Sequence, residues 1–139
     1  MEIQLTTRGL ETGLIVENAA GHRVRLDAGA VAGGTDAHFR PMQLLLGCLL
    51  SCSSIDVMHI LQKQKQTPEQ LQATATAERA PDPPKVFTKI HLVFTAAGGR
   101  TQQPHLERAV RLSVEKYCSV AAMLQHTADI TFEARMQPH

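Results

Sequence analysis

The chain has 139 residues, of which 43% are hydrophobic and 19% are charged, so we expect one folded domain spanning residues 1–139. Its formal net charge is +1, and it contains no Trp, one Tyr and four Phe. Nucleic-acid-binding proteins usually carry a basic surface or aromatic residues on which bases stack, so this composition argues against that class.

The first third of the sequence has the apolar–polar alternation of short β-strands. The predicted strands cover residues 3–5, 14–17 and 22–26. Residues 18–21 are predicted to form a hairpin turn, and the Gly-rich residues 28–36 are predicted to form an irregular loop. Residues 1–13 lack the basic start and apolar core of a signal peptide.

A long helix is predicted from Pro41 to about Gln66, because proline fits the first position of a helix. Apolar residues lie on most of its faces, so we expect its first half to be buried nearly all round. One chain of this size offers little to cover such a helix. We therefore expect two copies to pack together as an obligate homodimer. The longest apolar run, residues 44–50, is much shorter than a membrane span, so no membrane segment is predicted.

The rest of the chain predicts two strands, two helices and a closing strand. They cover residues 71–78, 86–95, 104–117, 119–125 and 129–136. This order groups strands and helices separately, which favours an α+β fold with antiparallel sheets around the central helix over a parallel βαβ fold.

Cys52 and Cys118 are the candidate reactive residues. Cys52 lies in the long helix among small hydroxyl residues, and Cys118 lies where a short helix begins. The N-terminus of a helix stabilises a thiolate, and Lys116 would act in the same direction. The alternative is that both cysteines fill the core, as buried cysteines usually do. Cys48 is interpreted as core filling, because a disulfide to Cys52 within an intact helix would be strained.

Other chemical groups give weaker signals. Asp56 and His59 follow Cys52 on the same helical face, where an imidazole could accept a thiol proton, although a histidine near a helix end is more often solvated. None of the seven histidines stands at a zinc-motif spacing, and no nucleotide-binding glycine motif is present. We therefore predict neither a metal nor a cofactor. Three cysteines do not make a disulfide framework, so we expect reduced thiols in a cytoplasmic protein.

Two segments of the chain resemble the signatures of the OsmC/Ohr superfamily. In the segment RPMQLLLGCLLSCSSIDV, residues 40–57, a proline opens the central helix and Cys52 follows three turns later. The segment EKYCSVAAML, residues 115–124, is similar to the helix start that carries the family's second cysteine. The strand at residues 84–94 is also similar, so the likeness covers roughly residues 40–125.

The resemblance implies an OsmC-like fold, an intertwined α+β homodimer with the two central helices at its middle. It also implies a thiol-dependent peroxidase acting on organic hydroperoxides in the oxidative stress response. Cys52 would attack the peroxide and become a sulfenic acid, and Cys118 would resolve it as a disulfide. An external dithiol would then reduce that disulfide.

The chain departs from this family where the reactive cysteine is activated. Characterised peroxidases carry Glu directly after the helix-opening proline, where this chain has Met42, and the most similar branch carries its acid at the position of Gln43. A neutral amide can hydrogen bond to an arginine but cannot form the charged pair that orders it beside the cysteine. Arg40 is the nearest candidate for that arginine, and Arg23 and Arg25 are alternatives.

Three functional hypotheses stay open from the sequence. The first is the thiol peroxidase just described. The second is a non-enzymatic dimer that binds a small hydrophobic ligand or responds to redox conditions, and the third is a pair of structural core thiols. The missing acid favours the second, whereas the two cysteines in their family contexts favour the first.

Overall fold

The computed structural model describes residues 1–138, so His139, the last of the seven histidines, lies outside the described residues. The elements are β1 (Ile3–Thr7), β2 (Leu14–Asn18), β3 (Arg23–Leu26), α1 (Pro41–Lys63), β4 (Gln70–Arg79), β5 (Phe87–Ala97), α2 (Gln103–Leu112), α3 (Ser119–Leu124) and β6 (Asp129–Met136). Two three-stranded sheets and one long helix confirm the α+β class. The chain divides into two compact units, Met1–Gly47 and Cys48–His139. The single domain expected over residues 1–139 stays a prediction.

The first unit holds the antiparallel sheet β1-β2-β3, as the alternation predicted. Val16 in the central strand pairs with Leu5 on one side and Val24 on the other. The hairpin predicted at residues 18–21 is present, because Asn18 Oδ1 accepts the N–H groups of Ala20 and His22, each at 3.0 Å. The side chain therefore completes the turn that sets the register between β2 and β3.

A buried carboxylate organises the loop between β3 and α1. Asp27 is 1% exposed and accepts N–H groups from Gly29 at 2.8 Å, Thr35 at 3.0 Å and Ala37 at 3.3 Å. It also accepts the hydroxyl of Thr35 at 2.8 Å. These hydrogen bonds lower the pKa of Asp27 to about 2. A Cβ at Gly34 would lie 2.0 Å from Asp27 Oδ1, so this close approach needs glycine.

The loop contains one turn of 3-10 helix, Ala30–Ala32, in a stretch for which the sequence predicted no regular structure. A hydrogen bond from the Asp27 N–H to the Phe39 carbonyl, at 2.9 Å, joins the start of the loop to its end just before α1. The prediction depended on apolar periodicity. Because glycines and short polar residues interrupt this loop, it has no such periodicity, and the single turn was not predicted.

Helix α1 is buried along one stripe of the single chain, as expected if a second copy covers the rest, and burial nearly all round in a dimer stays a prediction. The fully buried stripe follows the i, i+4 spacing and consists of Leu49, Ser53, Val57 and Leu61. Ile55, on another face, is 57% exposed. One chain covers only one side of so apolar a helix. By length and composition α1 could also span a membrane, but core helices of soluble proteins pass that test, so this is weak evidence.

The helix ends at Lys63, three residues before the predicted end. Lys65 takes a left-handed conformation with φ of 57°, and the N–H of Gln66 bonds to the carbonyl of Leu61 at 2.8 Å. A left-handed residue of this kind stops a helix while satisfying its last carbonyl groups. The polar side chains of this segment carry no signal for that change of backbone direction.

The second unit holds the sheet β4-β5-β6, in which β4 and β5 are antiparallel but β5 and β6 are parallel. The prediction of purely antiparallel sheets is therefore wrong for this pair. The helices α2 and α3 stand between β5 and β6 and act as the crossover that a parallel pair requires. Gln103 at the start of α2 fixes the helix to β6, because its side chain bonds to the Ala134 carbonyl at 2.7 Å and the Met136 N–H at 2.9 Å.

Candidate thiol site

Helix α1 places Cys52 beside the buried stripe. Cys52 is half-buried and directly precedes Ser53, which is fully buried and bonds through its hydroxyl to the Leu49 carbonyl at 2.7 Å. Cys48 is exposed, so its interpretation as core filling is wrong. Cys48 lies four residues before Cys52, outside the i, i+4 series that begins at Leu49, and no side chain of the second unit buries it.

A π-helical turn places Cys118. Residues Ser113–Tyr117 extend α2 by one wide turn, which the N–H of Cys118 closes on the Ser113 carbonyl at 2.7 Å. The predicted helix at residues 104–117 is thus present, but its last turn is π-helical, a form frequent at functional sites. Cys118 then takes an extended backbone conformation and caps α3, because its Sγ accepts the N–H of Ala121 at 3.4 Å.

The structure brings Cys52 and Cys118 together. Cys118 is 2% exposed, and burial raises the pKa of its thiol to about 11, with a further contribution from hydrogen bonding and Coulombic interaction with Cys52. The Ala121 N–H lowers the pKa, but burial outweighs it. The stabilisation of a Cys118 thiolate that was expected at this helix start is therefore present but is outweighed by burial. The ammonium group of Lys116 lies 5.2 Å from the centre of the Tyr117 ring, so it makes a cation–π contact instead.

Sequence reasoning missed a contact that ties the π turn to α1. The buried hydroxyl of Ser113 lies 3.0 Å from the Ser53 carbonyl and 3.0 Å from Asp56 Oδ2. Asp56 thus faces the segment that carries Cys118. The i+4 position of Asp56 placed it on the same helical face as Cys52, but the sequence did not indicate its contact with Ser113. His59 is exposed, and its role as a proton acceptor for a thiol stays a hypothesis.

The other candidate residues lie in the first unit. Gln43 Oε1 accepts the backbone N–H of Arg40 at 3.0 Å, which caps the start of α1. The Arg40 side chain is exposed and passes over Gly29. A Cβ added at Gly29 would lie 3.0 Å from Arg40 Cδ. Arg23 pairs with Glu17 on the polar face of the first sheet. The amide at residue 43 therefore does bind an arginine, through its backbone rather than its guanidinium group.

A cavity of about 450 Å³ lies beside the thiol-bearing segments. Its lining residues are Asp56, His59, Ile60, Lys63, Gln64, Leu112 and Tyr117. In the part of the chain that the structure describes, no group of three or more His, Cys, Asp or Glu side chains could hold a metal ion. The three cysteines are free thiols.

Comparison with known proteins gives a consistent result. Residues 34–133 match the sequence model of the family described as OsmC-like protein. Protein YhfA of Escherichia coli strain K12 is 39% identical over 115 residues, which are 83% of this chain and 83% of YhfA. A crystal structure of a hypothetical protein from Aquifex aeolicus VF5 is similar with a TM-score of 0.79 and 29% identity, covering 99% of this chain and 97% of that one.

A more distant structure shares the fold. It is an organic hydroperoxide resistance protein OsmC, also called a predicted redox protein, from Legionella pneumophila. Its TM-score is 0.70 at 19% identity, and the match covers 98% of this chain and 96% of that one.

Proposed function

Because the chain belongs to the OsmC-like protein family, we propose that it is a thiol-dependent peroxidase that reduces organic hydroperoxides. The name of the Legionella pneumophila protein, which refers to organic hydroperoxide resistance, supports this substrate class. In the proposed reaction Cys52 attacks the peroxide and Cys118 resolves the oxidised product.

The observation that carries the proposal is the proximity of Cys52 to Cys118 in the second unit. The two residues are 66 positions apart in the sequence, so only the fold brings them together. Cys118 is buried with a raised pKa, which makes it a poor first nucleophile, whereas Cys52 is half-buried and can be reached by a small peroxide. This difference supports the assignment of attack to Cys52 and of resolution to Cys118.

The chemistry needs no cofactor. The Cys52 thiolate attacks one peroxide oxygen, the O–O bond breaks, and the alkoxide takes a proton and leaves as an alcohol. The Cys118 sulfur then attacks the Cys52 sulfenic acid, forming the disulfide while the S–O bond breaks and water leaves. An external dithiol restores both thiols by exchange. Part of the high pKa of Cys118 comes from Coulombic interaction with Cys52, and conversion of Cys52 to an uncharged sulfenic acid removes that part.

Arg40 and Gln43 stay candidates for activating Cys52. Gln43 supplies a neutral acceptor to the Arg40 backbone, so a carboxylate–guanidinium pair is absent at this position. We therefore propose slower peroxide attack than in relatives that have the acid.

A homodimer and a cytoplasmic location are part of the same proposal. Apolar side chains are exposed on the first sheet, where Ile3 and Leu5 are 57% and 55% exposed, and on α1 at Ile55. Exposed apolar side chains are typical of interfaces, and we propose that a second copy of the chain covers those of each unit. Three free thiols suit a reducing compartment.

The test is to treat the reduced protein with one equivalent of cumene hydroperoxide and identify the thiol products by peptide mass analysis. We expect rapid formation of a Cys52–Cys118 disulfide, which Cys52→Ser abolishes. Cys118→Ser should stop at a Cys52 sulfenic acid that dimedone captures. The matched control is Cys48→Ser, which removes an exposed thiol one helical turn away and should leave the disulfide intact. If both thiols survive the peroxide in the folded protein, the peroxidase proposal fails and binding of a small hydrophobic ligand takes its place.

A further inference from the structure

The backbone position of Cys118 depends on Ser113. The Cys118 N–H bonds to the Ser113 carbonyl at 2.7 Å, which closes the π turn and ends the helical path of the chain. Since a π turn holds one residue more than an α turn, this hydrogen bond decides where the Cys118 side chain leaves the helix. A change in the position of Ser113 therefore moves Cys118 with it.

The position of Ser113 in turn depends on α1. Its side chain is fully buried, and its hydroxyl has two acceptors on α1, the Ser53 carbonyl and the Asp56 carboxylate, each at 3.0 Å. Ser53 directly follows Cys52, and Asp56 lies one turn after it. One serine thus connects the backbone of Cys118 to the helical turn that carries Cys52.

We propose that Ser113 and Asp56 are positioning residues that hold Cys118 against Cys52 for disulfide closure. This inference rests on the proposed function. Neither Ser113 nor Asp56 forms or breaks a covalent bond in the reaction. In the closure step the Cys118 thiol and the Cys52 sulfenic acid form one S–S bond and release one water molecule. Correct placement of two reacting groups contributes a large share of such a rate, so loss of the contact should slow closure about 10-fold or more.

Loss of the contact between Ser113 and α1 should not change the earlier step, the attack of Cys52 on the peroxide. Peroxide attack involves the half-buried Cys52 and the peroxide, whereas the hydrogen bonds of the Ser113 hydroxyl go to the Ser53 carbonyl and the Asp56 carboxylate. Variants that break the contact should therefore form the Cys52 sulfenic acid at the normal rate and accumulate it. A general loss of folding would slow both steps, so the ratio of the two rates separates positioning from destabilisation.

Three variants test the inference, and Ser51→Ala is their matched control. Ser113→Ala removes the donor, and Asp56→Ala removes the carboxylate acceptor. Asp56→Asn keeps an acceptor oxygen of the same shape, so it should retain closure. Ser51 is an exposed serine of the same helix whose hydroxyl bonds to the Cys48 carbonyl, so its replacement should change neither step.

The measurement follows single-turnover oxidation by one equivalent of cumene hydroperoxide, with dimedone capture of the sulfenic acid and mass analysis of the disulfide. Ser113→Ala and Asp56→Ala should accumulate captured Cys52 and close at most about one tenth as fast. Closure at the wild-type rate in both variants overturns the inference, and so does an Asp56→Asn variant as slow as Asp56→Ala. If Ser113→Ala does not fold, the two Asp56 variants decide the matter.

A second readout separates this inference from the proposed function. Diamide oxidises two adjacent thiols to a disulfide and is itself reduced to the hydrazine, so it closes the Cys52–Cys118 pair without peroxide chemistry. If the wild type ignores cumene hydroperoxide but closes with diamide about 10-fold faster than Ser113→Ala and Asp56→Ala, the peroxidase proposal fails and the positioning inference stands. Equal diamide closure in wild type and variants overturns the positioning inference by itself.

Discussion

Gln43 binds Arg40 through the backbone, because its side-chain Oε1 accepts the Arg40 N–H at 3.0 Å at the start of α1. The residue that stands where a relative would carry an acid therefore serves as a helix cap. A cap of this kind depends on an acceptor oxygen and not on a charge.

Gln43→Glu should keep the cap and add a charge that the N-terminus of α1 stabilises by about 0.3–1 kcal/mol. It should also speed oxidation of Cys52 by cumene hydroperoxide, because a carboxylate can form the charged pair with arginine that the amide cannot. Thermal unfolding and the single-turnover rate measure the two effects. Gln43→Ala, which lacks the acceptor, is the control. A stabilised variant with an unchanged oxidation rate would show that the missing acid does not limit the reaction.

Asp27 should make the folded state sensitive to acid. Its pKa is lowered from an ordinary value of 3.8 to about 2, so the unfolded chain binds a proton more readily than the folded chain. The stability that the ionised carboxylate contributes is thus complete above about pH 4 and is lost as the pH falls towards 2. Denaturant unfolding between pH 7 and pH 2 measures this loss.

Asp27→Asn should lower the stability at pH 7 and flatten its dependence on pH below 4. An amide can keep one acceptor oxygen for the Gly29 and Thr35 N–H groups that bond to Oδ1, but it presents its NH2 donor to the Ala37 N–H group that Oδ2 accepts. Asp36→Asn is the control, since Asp36 is exposed on the same loop and its left-handed conformation suits Asn. Equal acid sensitivity in Asp27→Asn and the wild type would contradict the role of Asp27.

Removal of Cys52 should lower the pKa of Cys118. Hydrogen bonding and Coulombic interaction with Cys52 add to the effect of burial, which is the larger cause and stays in the variant. The pKa should therefore fall from about 11 while remaining above the ordinary value of 9.0. Isotope-labelled cysteine observed by NMR over a pH series gives the titration, with Cys48→Ser as the background for both proteins. An unchanged pKa would mean that the two thiols do not interact.

Ile55→Glu should convert the proposed homodimer into a monomer. Ile55 is 57% exposed on the apolar helix α1, and a carboxylate there would lose its hydration if a second copy covered it. Sedimentation over a range of protein concentrations measures the change. Gln62→Glu is the control, because it adds the same charge at an exposed polar position near the end of the same helix. A wild type that sediments as a monomer contradicts the dimer.

The sequence alone determined where most elements lie. Alternation located β1, β2, β3, β4, β5 and β6, and Pro41 located the start of α1, because these signals depend only on residues close together in the chain. The two cysteine segments identified the family, which the match over residues 34–133 confirms. Local patterns of this kind can be interpreted without knowledge of how the elements pack together.

The tertiary structure decided the properties that depend on distant residues. The parallel pairing of β5 with β6, the one-sided burial of α1 and the contact of Ser113 with Asp56 have no local sequence signal. The dipole at the start of α3 suggested a stabilised thiolate at Cys118, yet burial by the rest of the second unit raises its pKa. Burial is the sum of contacts from the whole unit, so one segment of sequence cannot determine it.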